Sequence, residues 1–242
     1  MTDTLLITIG ESWTWGDSLD EHGHERLKNI YGYHLSNMLN ADWQNIAFCG
    51  ASNGWMAQQY NNCVNKNYDY KNVIIICTLT EVGREFNAPD LDNNRDYVSD
   101  LETARTFKDV QNLQSRWLET QFQPTTYTTL FGTNFVDSNY SNLNVLDKSW
   151  IEVIGDHIGV KPPKEVYTVG SWVFEKLSQA TEFKKFDREV WLKSTMQEMD
   201  KARQVTRWLD QSPLNYERAS KHPTPEGHRL WAEYLYKHIE KN

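Results

Sequence analysis

Two serines lie close together in the stretch TIGESWTWGDSLD, residues 8–20, and either hydroxyl could serve as a nucleophile in acyl transfer. A serine becomes reactive where a neighbouring base takes its proton and fixed N–H groups receive the charge that develops on the carbonyl oxygen. Ser12 stands two residues past Gly10, which closes an apolar, β-branched run, Thr4 to Ile9. That places it where a buried strand turns toward a helix, with backbone N–H groups available to a developing oxyanion. Ser18 lies six residues further on, away from that turn. The bland alternative for Ser12 is a cap of the turn, a place where small polar residues are favoured for local hydrogen bonding. His22 and His24 in DEHGHE are close enough to suggest a metal, but no third ligand follows at a regular spacing, so this stretch reads as a solvated loop and no metal site is expected.

Those side chains need a scaffold, and the hydrophobic pattern supplies one. TLLITI is the first strand, WQNIAF (Trp43 to Phe48) the second, and NVIIICTL (Asn72 to Leu79) the strongest. Thr125 to Phe135 carries a fourth. Between the first two, Leu27, Ile30, Tyr31, His34, Leu35 and Met38 fall on one helical stripe. Ser52 is a candidate N-cap for the helix that follows the second strand. Further helical patterns cover Tyr97 to Thr120, Phe186 to Leu209 and Pro225 to Ile239, whereas residues 136–163 are turn-rich and have no clear assignment. Strands alternating with helices predict an α/β fold: a single domain over residues 1–242, built as a three-layer α/β/α sandwich around a central, mostly parallel, flavodoxin-like sheet. Ligands of such sheets bind beyond the carboxyl ends of the strands.

Composition narrows the partners. The chain of 242 residues has a formal charge of −8, which opposes binding to phosphate backbones, so nucleic acid is not expected as a partner. No apolar run is long enough to span a bilayer, and the start MTDTLLITIG has an acidic residue where a secretory signal needs a basic one. A cytoplasmic protein is expected, or a virion-associated one if a virus encodes it. Cys49, Cys63 and Cys77 fit neither a disulfide framework nor a zinc site and read as reduced, buried thiols. The many Trp and Tyr side chains are first of all core, although aromatic faces also suit sugars. Trp13 and Trp15 stand apart because they bracket the turn at Ser12.

The segment GESWTWG, Gly10 to Gly16, resembles the first block of the SGNH (GDSL) hydrolases, G-D-S-x-T-x-G, with Glu11 in place of Asp. Ser18 fails the same alignment, since Asp20 and His22 would fall where Thr and Gly belong, so the literal GDSL string is coincidental. NIAFCGASN resembles the second block through Asn45, Ala47, Gly50, Ser52 and Asn53, and SKHPTPEGHRLWAEYLYKHI resembles the last, a His-Pro ahead of a Gly-His and a final helix. The resemblance implies Ser12 as nucleophile and His222 as general base. It further implies oxyanion donors at Ser12 and Gly50. Trp13, Asn53 and Arg84 are candidate substrate contacts from their positions, with pairing to Glu81 or Glu85 as the alternative for Arg84. His228 is left to packing or capping. No cofactor is implied. The implied reaction is hydrolysis of a small-molecule or carbohydrate ester, such as an O-acetyl group, through an acyl-enzyme. The GxSWTxG opening also resembles sequences carried by bacteriophages.

Two departures stand out. The Asp that orients the histidine in this family is replaced by Ala219 and Ser220. Either a backbone carbonyl or Ser220 takes its place, or a carboxylate such as Glu217 reaches in. The third block, G-x-N-D, is replaced by TLTEVGRE, where Thr80 is the remaining candidate for the oxyanion. Such losses are costly, about 3 kcal/mol for one oxyanion donor, and they sustain a competing expectation of a catalytically impaired binding or virion structural protein on the same fold.

Overall fold

A computed structural model describes residues 2–17, 19, 24–80, 115–134, 140, 142–159 and 222–241. The strands β1 (Thr4–Gly10), β2 (Asp42–Ala47), β3 (Asn72–Leu79) and β4 (Thr128–Thr133) form one parallel sheet in the order β2-β1-β3-β4. Chain order and spatial order diverge at β1, whose two neighbours lead the chain to opposite sides of the sheet. That switch point is where a doubly wound sheet opens a crevice beyond its carboxyl ends. The register makes the ends level: Gly10 pairs with Ala47 on one side and Thr78 on the other, and Thr78 pairs with Gly132.

Alternation along the strands sorts side chains onto two buried faces, as a parallel sheet covered on both sides requires. Leu5, Ile7, Ile9, Val73, Ile75, Cys77 and Leu79 pack with Met56, Tyr60 and Cys63 of α4 (Asn53–Val64). Leu6, Ile74, Ile76 and Leu130 point the other way, toward Tyr31 and Leu35 of α3 (Tyr31–Leu39), Trp150, Ile151 and Ile154 of α5 (Trp150–Ile158), and Trp231, Ala232 and Leu235 of α6 (Pro225–Ile239). This second face is aromatic. Trp150 stacks on Trp231 with ring centroids 5.5 Å apart and meets the Tyr31 ring edge-on at 5.2 Å. The expected three layers and parallel sheet are present.

Several expectations need correction. The single stripe drawn from Leu27 to Met38 is two helices, α2 (His24–Lys28) and α3, because Ile30 is extended, with φ −86° and ψ 150°, and is fully buried. Burying Ile30 as a plug ends one helix and starts the next, and it leaves Met38 exposed. The unassigned stretch contains α5, opened by a capping box in which the Ser149 N–H donates to Glu152 Oε2 at 2.8 Å. Ser52 caps α4 as expected, its hydroxyl oxygen accepting from the Trp55 N–H at 3.2 Å. Of the thiols, Cys63 and Cys77 are buried but Cys49 is exposed, since it rides on the turn after β2. Residues 115–119 are helical, in keeping with the end of the Tyr97–Thr120 pattern. The pattern from Phe186 to Leu209 lies outside the described residues.

Candidate active site

The level carboxyl ends of the strands deliver one functional segment each. After β1 the chain turns directly into α1 (Ser12–Trp15), a single turn. Gly10 permits the turn: a Cβ there would lie 2.0 Å from Thr14 Oγ1, so only glycine lets α1 fold back on its own strand. Glu11 is the N-cap. Its Oε1 accepts from the Trp13 N–H at 3.0 Å, and its Oε2 accepts from the Ser12 hydroxyl. Ser12 is thus the first residue of the helix and not its cap.

The Ser12 Oγ lies 2.8 Å from His222 Nε2, across 210 residues of sequence. The helix α6 makes that meeting possible. Thr224 caps it, accepting from the Gly227 N–H at 3.4 Å, and Pro225 starts it. The proline fixes φ where no N–H is needed. Burial of Leu230, Trp231, Ala232 and Leu235 then fixes α6 against the sheet. The Trp150 indole N–H adds a bond to the Gly227 carbonyl at 2.9 Å. His222 stands three residues ahead of this helix, so its placement is set by packing far from the chemistry.

His228, one turn into α6, takes neither catalytic nor surface duty. It is fully buried, 5.0 Å from the Trp150 ring, and its Nδ1 accepts from the N–H of Tyr31, the first residue of α3. Since α3 has no side-chain cap of its own, His228 serves it from another helix, and that bond places the ring proton on Nε2. Burial pushes the imidazole pKa down to about 3.

Two residues join the site that the motif reading assigned no part. Asn134, at the end of β4, is buried and donates its side-chain amide to Glu11 Oε1. The Asp17 carboxylate lies 3.6 Å from His222 Nε2, on the ring nitrogen that faces Ser12. The signal for Asn134 was present, because it stands after the fourth strand as Ser12 stands after the first. Asp17 gave none beyond nearness to Ser12 in sequence.

The remaining candidates divide. Gly50 lies on the exposed turn after β2 with φ +78°, and a Cβ there would meet nothing within 4 Å. The left-handed backbone is therefore its protein-side reason for being glycine. Thr80 is buried at the end of β3, and its backbone N–H donates to Asn53 Oδ1 at 2.9 Å while Asn53 Nδ2 donates to the Thr80 carbonyl at 3.1 Å. That pair spends the Asn53 amide on tying α4 to the sheet, so Asn53 lies beneath the site and is not placed as a substrate contact. Trp13 is corrected as well: it is buried, 5.5 Å edge-on from Trp150, and belongs to the aromatic core. Its partner in the motif, Trp15, is the exposed one, with the Arg26 guanidinium 4.3 Å above its ring. Glu217, Ser220 and Arg84 lie outside the described residues.

Among the described residues no group of three His, Cys, Asp or Glu is arranged to hold a metal ion, and no helix is long and apolar enough to cross a membrane. No protein-family model and no curated protein matches the chain. Solved structures to which it is similar include a carbohydrate esterase whose active site displays divergent catalytic and non-catalytic binding functions, at 14% identity and a TM-score of 0.42, covering 100% of this chain and 66% of that one. A lipolytic protein of the G-D-S-L family from Veillonella parvula gives 14% identity and a TM-score of 0.40, over 99% of this chain and 100% of that one. A carbohydrate acetylesterase family member from Sinorhizobium meliloti gives 12% and 0.41, over 100% and 98%. In its blocks around Ser12, Gly50 and His222 and in the parallel sheet that carries them, the chain resembles the SGNH (GDSL) hydrolases.

Proposed function

We propose that the protein is a serine ester hydrolase acting on small acyl esters, with O-acetyl groups on a carbohydrate as the substrate class. The observation that carries this reading is the 2.8 Å approach of Ser12 Oγ to His222 Nε2 at the switch point of the sheet. A hydroxyl and an imidazole at that distance are within reach for proton transfer. In the proposed reaction Oγ attacks the acyl carbon as its proton passes to the imidazole, the backbone N–H groups of Ser12 and Gly50 receive the oxyanion, and the alcohol leaves with a proton. Water then releases the acid from the acyl-enzyme. The Thr80 hydroxyl is the proposed third oxyanion donor, and Arg84 a proposed substrate contact. No metal or organic cofactor enters this scheme.

The carbohydrate part of the reading draws on exposed aromatic surface near the site. Trp15, the last residue of α1, and Phe48 after β2 are exposed large apolar side chains; Arg26 covers one face of Trp15, and flat aromatic faces suit the C–H faces of sugars. Turnover of p-nitrophenyl acetate by the purified protein, measured beside Ser12→Ala, tests the reaction. A fall of at least about 10³-fold is expected from loss of the nucleophile; equal rates would reject the hydrolase and leave a binding or virion structural protein on the same fold. Screening acetylated sugars against longer acyl esters then tests the substrate class, with faster release from the sugars expected.

A further inference from the structure

We propose that Glu11 is a second acceptor for the Ser12 proton, so that acylation can proceed through either of two bases while deacylation depends on His222 alone. This rests on the reading of Ser12 as the nucleophile. A serine hydroxyl has one proton to donate, and here Oγ meets both Glu11 Oε2 and His222 Nε2. Glu11 Oε1 already accepts from the Trp13 N–H and the Asn134 amide, which can only donate. Oε2 is the carboxylate oxygen against the Ser12 hydroxyl. While the hydroxyl points at Oε2, the Nε2 atom faces a lone pair of Oγ and must itself be the donor, so in that arrangement the imidazole is not the acceptor.

In the Glu11 route, the Oγ–H bond breaks and its proton passes to Oε2 as Oγ bonds to the acyl carbon. Collapse of the tetrahedral adduct then breaks the bond to the leaving oxygen. An aryl oxide departs as the anion and needs no proton. Deacylation differs because the attacking water comes from solvent. Glu11 is only 1% exposed, whereas the His222 side chain is 17% exposed beside the half-exposed Asp17. The water oxygen bonds to the acyl carbon as the imidazole takes its proton, the bond from that carbon to Oγ breaks as Oγ recovers its proton from Oε2, and the imidazolium then releases its proton to solvent, balancing the departed aryl oxide.

The test is rapid-mixing kinetics with p-nitrophenyl acetate, followed by intact mass. In His222→Ala we expect a stoichiometric burst of nitrophenolate within about 100-fold of the wild-type acylation rate. Steady turnover should fall by about 10³-fold or more, with an acetyl group retained on Ser12. Adding Glu11→Gln to His222→Ala should abolish both burst and acetyl group. Gln keeps an acceptor for Trp13 and Asn134, and thermal unfolding checks that the variant is folded. Should it fail to fold, Glu11→Asp beside His222→Ala withdraws the carboxylate by one methylene and should slow the burst. Absence of a burst in His222→Ala from a wild type that turns over would overturn the proposal, as would a burst that survives Glu11→Gln or is unchanged by Glu11→Asp. Wild-type turnover no greater than that of Ser12→Ala would instead remove the hydrolase reading, and this one with it.

Discussion

The two ends of the sheet handle carboxylates in opposite ways. At the amino end, Asp3 pairs with Lys71 at 2.6 Å with side chains 65% and 75% exposed, and Asp42 accepts from the Tyr70 hydroxyl at 2.9 Å, also in the open. At the carboxyl end, Glu11 is buried and surrounded by three donors from two segments: Ser12 and Trp13 of α1 and Asn134 after β4. Water does most of the solvation at one end and the protein does it at the other. A charge taken out of water costs several kcal/mol unless its lone pairs are met, so the donors around Glu11 are part of what holds the turn at Ser12 in shape. The exposed pair at Lys71 is replaceable by hydration. Identical chemical groups thus serve solubility below and geometry above.

The largest departure from this contrast should come from Glu11→Ala, which leaves the Trp13 N–H and the Asn134 amide without their acceptor and opens a void. Denaturant unfolding should register a loss of about 3 kcal/mol, and a change below about 0.5 kcal/mol would mean that water enters and the site is not solvated by protein. Gly10→Ala is expected to cost about 2 kcal/mol, since its Cβ would collide with Thr14 Oγ1; thermal unfolding reports it, and the same change should lower ester turnover by displacing α1.

A pH titration of stability sharpens the comparison for a second buried group. The pKa of His228 falls from 6.5 to about 3 on folding, so between those values the unfolded chain binds the extra proton. Stability is therefore intact above pH 6.5 and declines as pH falls through the window, by up to about 1.4 kcal/mol per pH unit. The slope should flatten in His228→Gln, which retains an acceptor for the Tyr31 N–H; an unchanged slope would assign the acid sensitivity elsewhere. The smallest effect belongs to the amino end. Lys71→Ala should change stability by less than about 1 kcal/mol, an effect that salt erases, and a larger, salt-resistant loss would break the contrast.

The strands were legible because a parallel sheet buried on both faces writes continuous apolar runs, as at Leu5 to Ile9 and Val73 to Leu79. The Ser12 and His222 segments were legible because their motifs are local. What local pattern could not reveal is direction. Trp13 and Trp15 look alike in sequence, yet one turn of helix sends Trp13 into the core beside Trp150 and leaves Trp15 in solvent. Asn53 matched its block and still spends its amide on Thr80, because the partner is 27 residues away. Helix α5 had its capping box, Ser149 and Glu152, written in the sequence. The polar turn residues ahead of it masked an apolar stripe that is only nine residues long. Asn134 and Glu11 meet across 123 residues, a contact that only the sheet register creates.

Covalent capture of the nucleophile tests the account most directly. Intact-mass analysis after treatment with a fluorophosphonate should show one adduct on the wild type and on Ser18→Ala, and none on Ser12→Ala. An adduct that persists in Ser12→Ala, or is lost in Ser18→Ala, would contradict the assignment of Ser12.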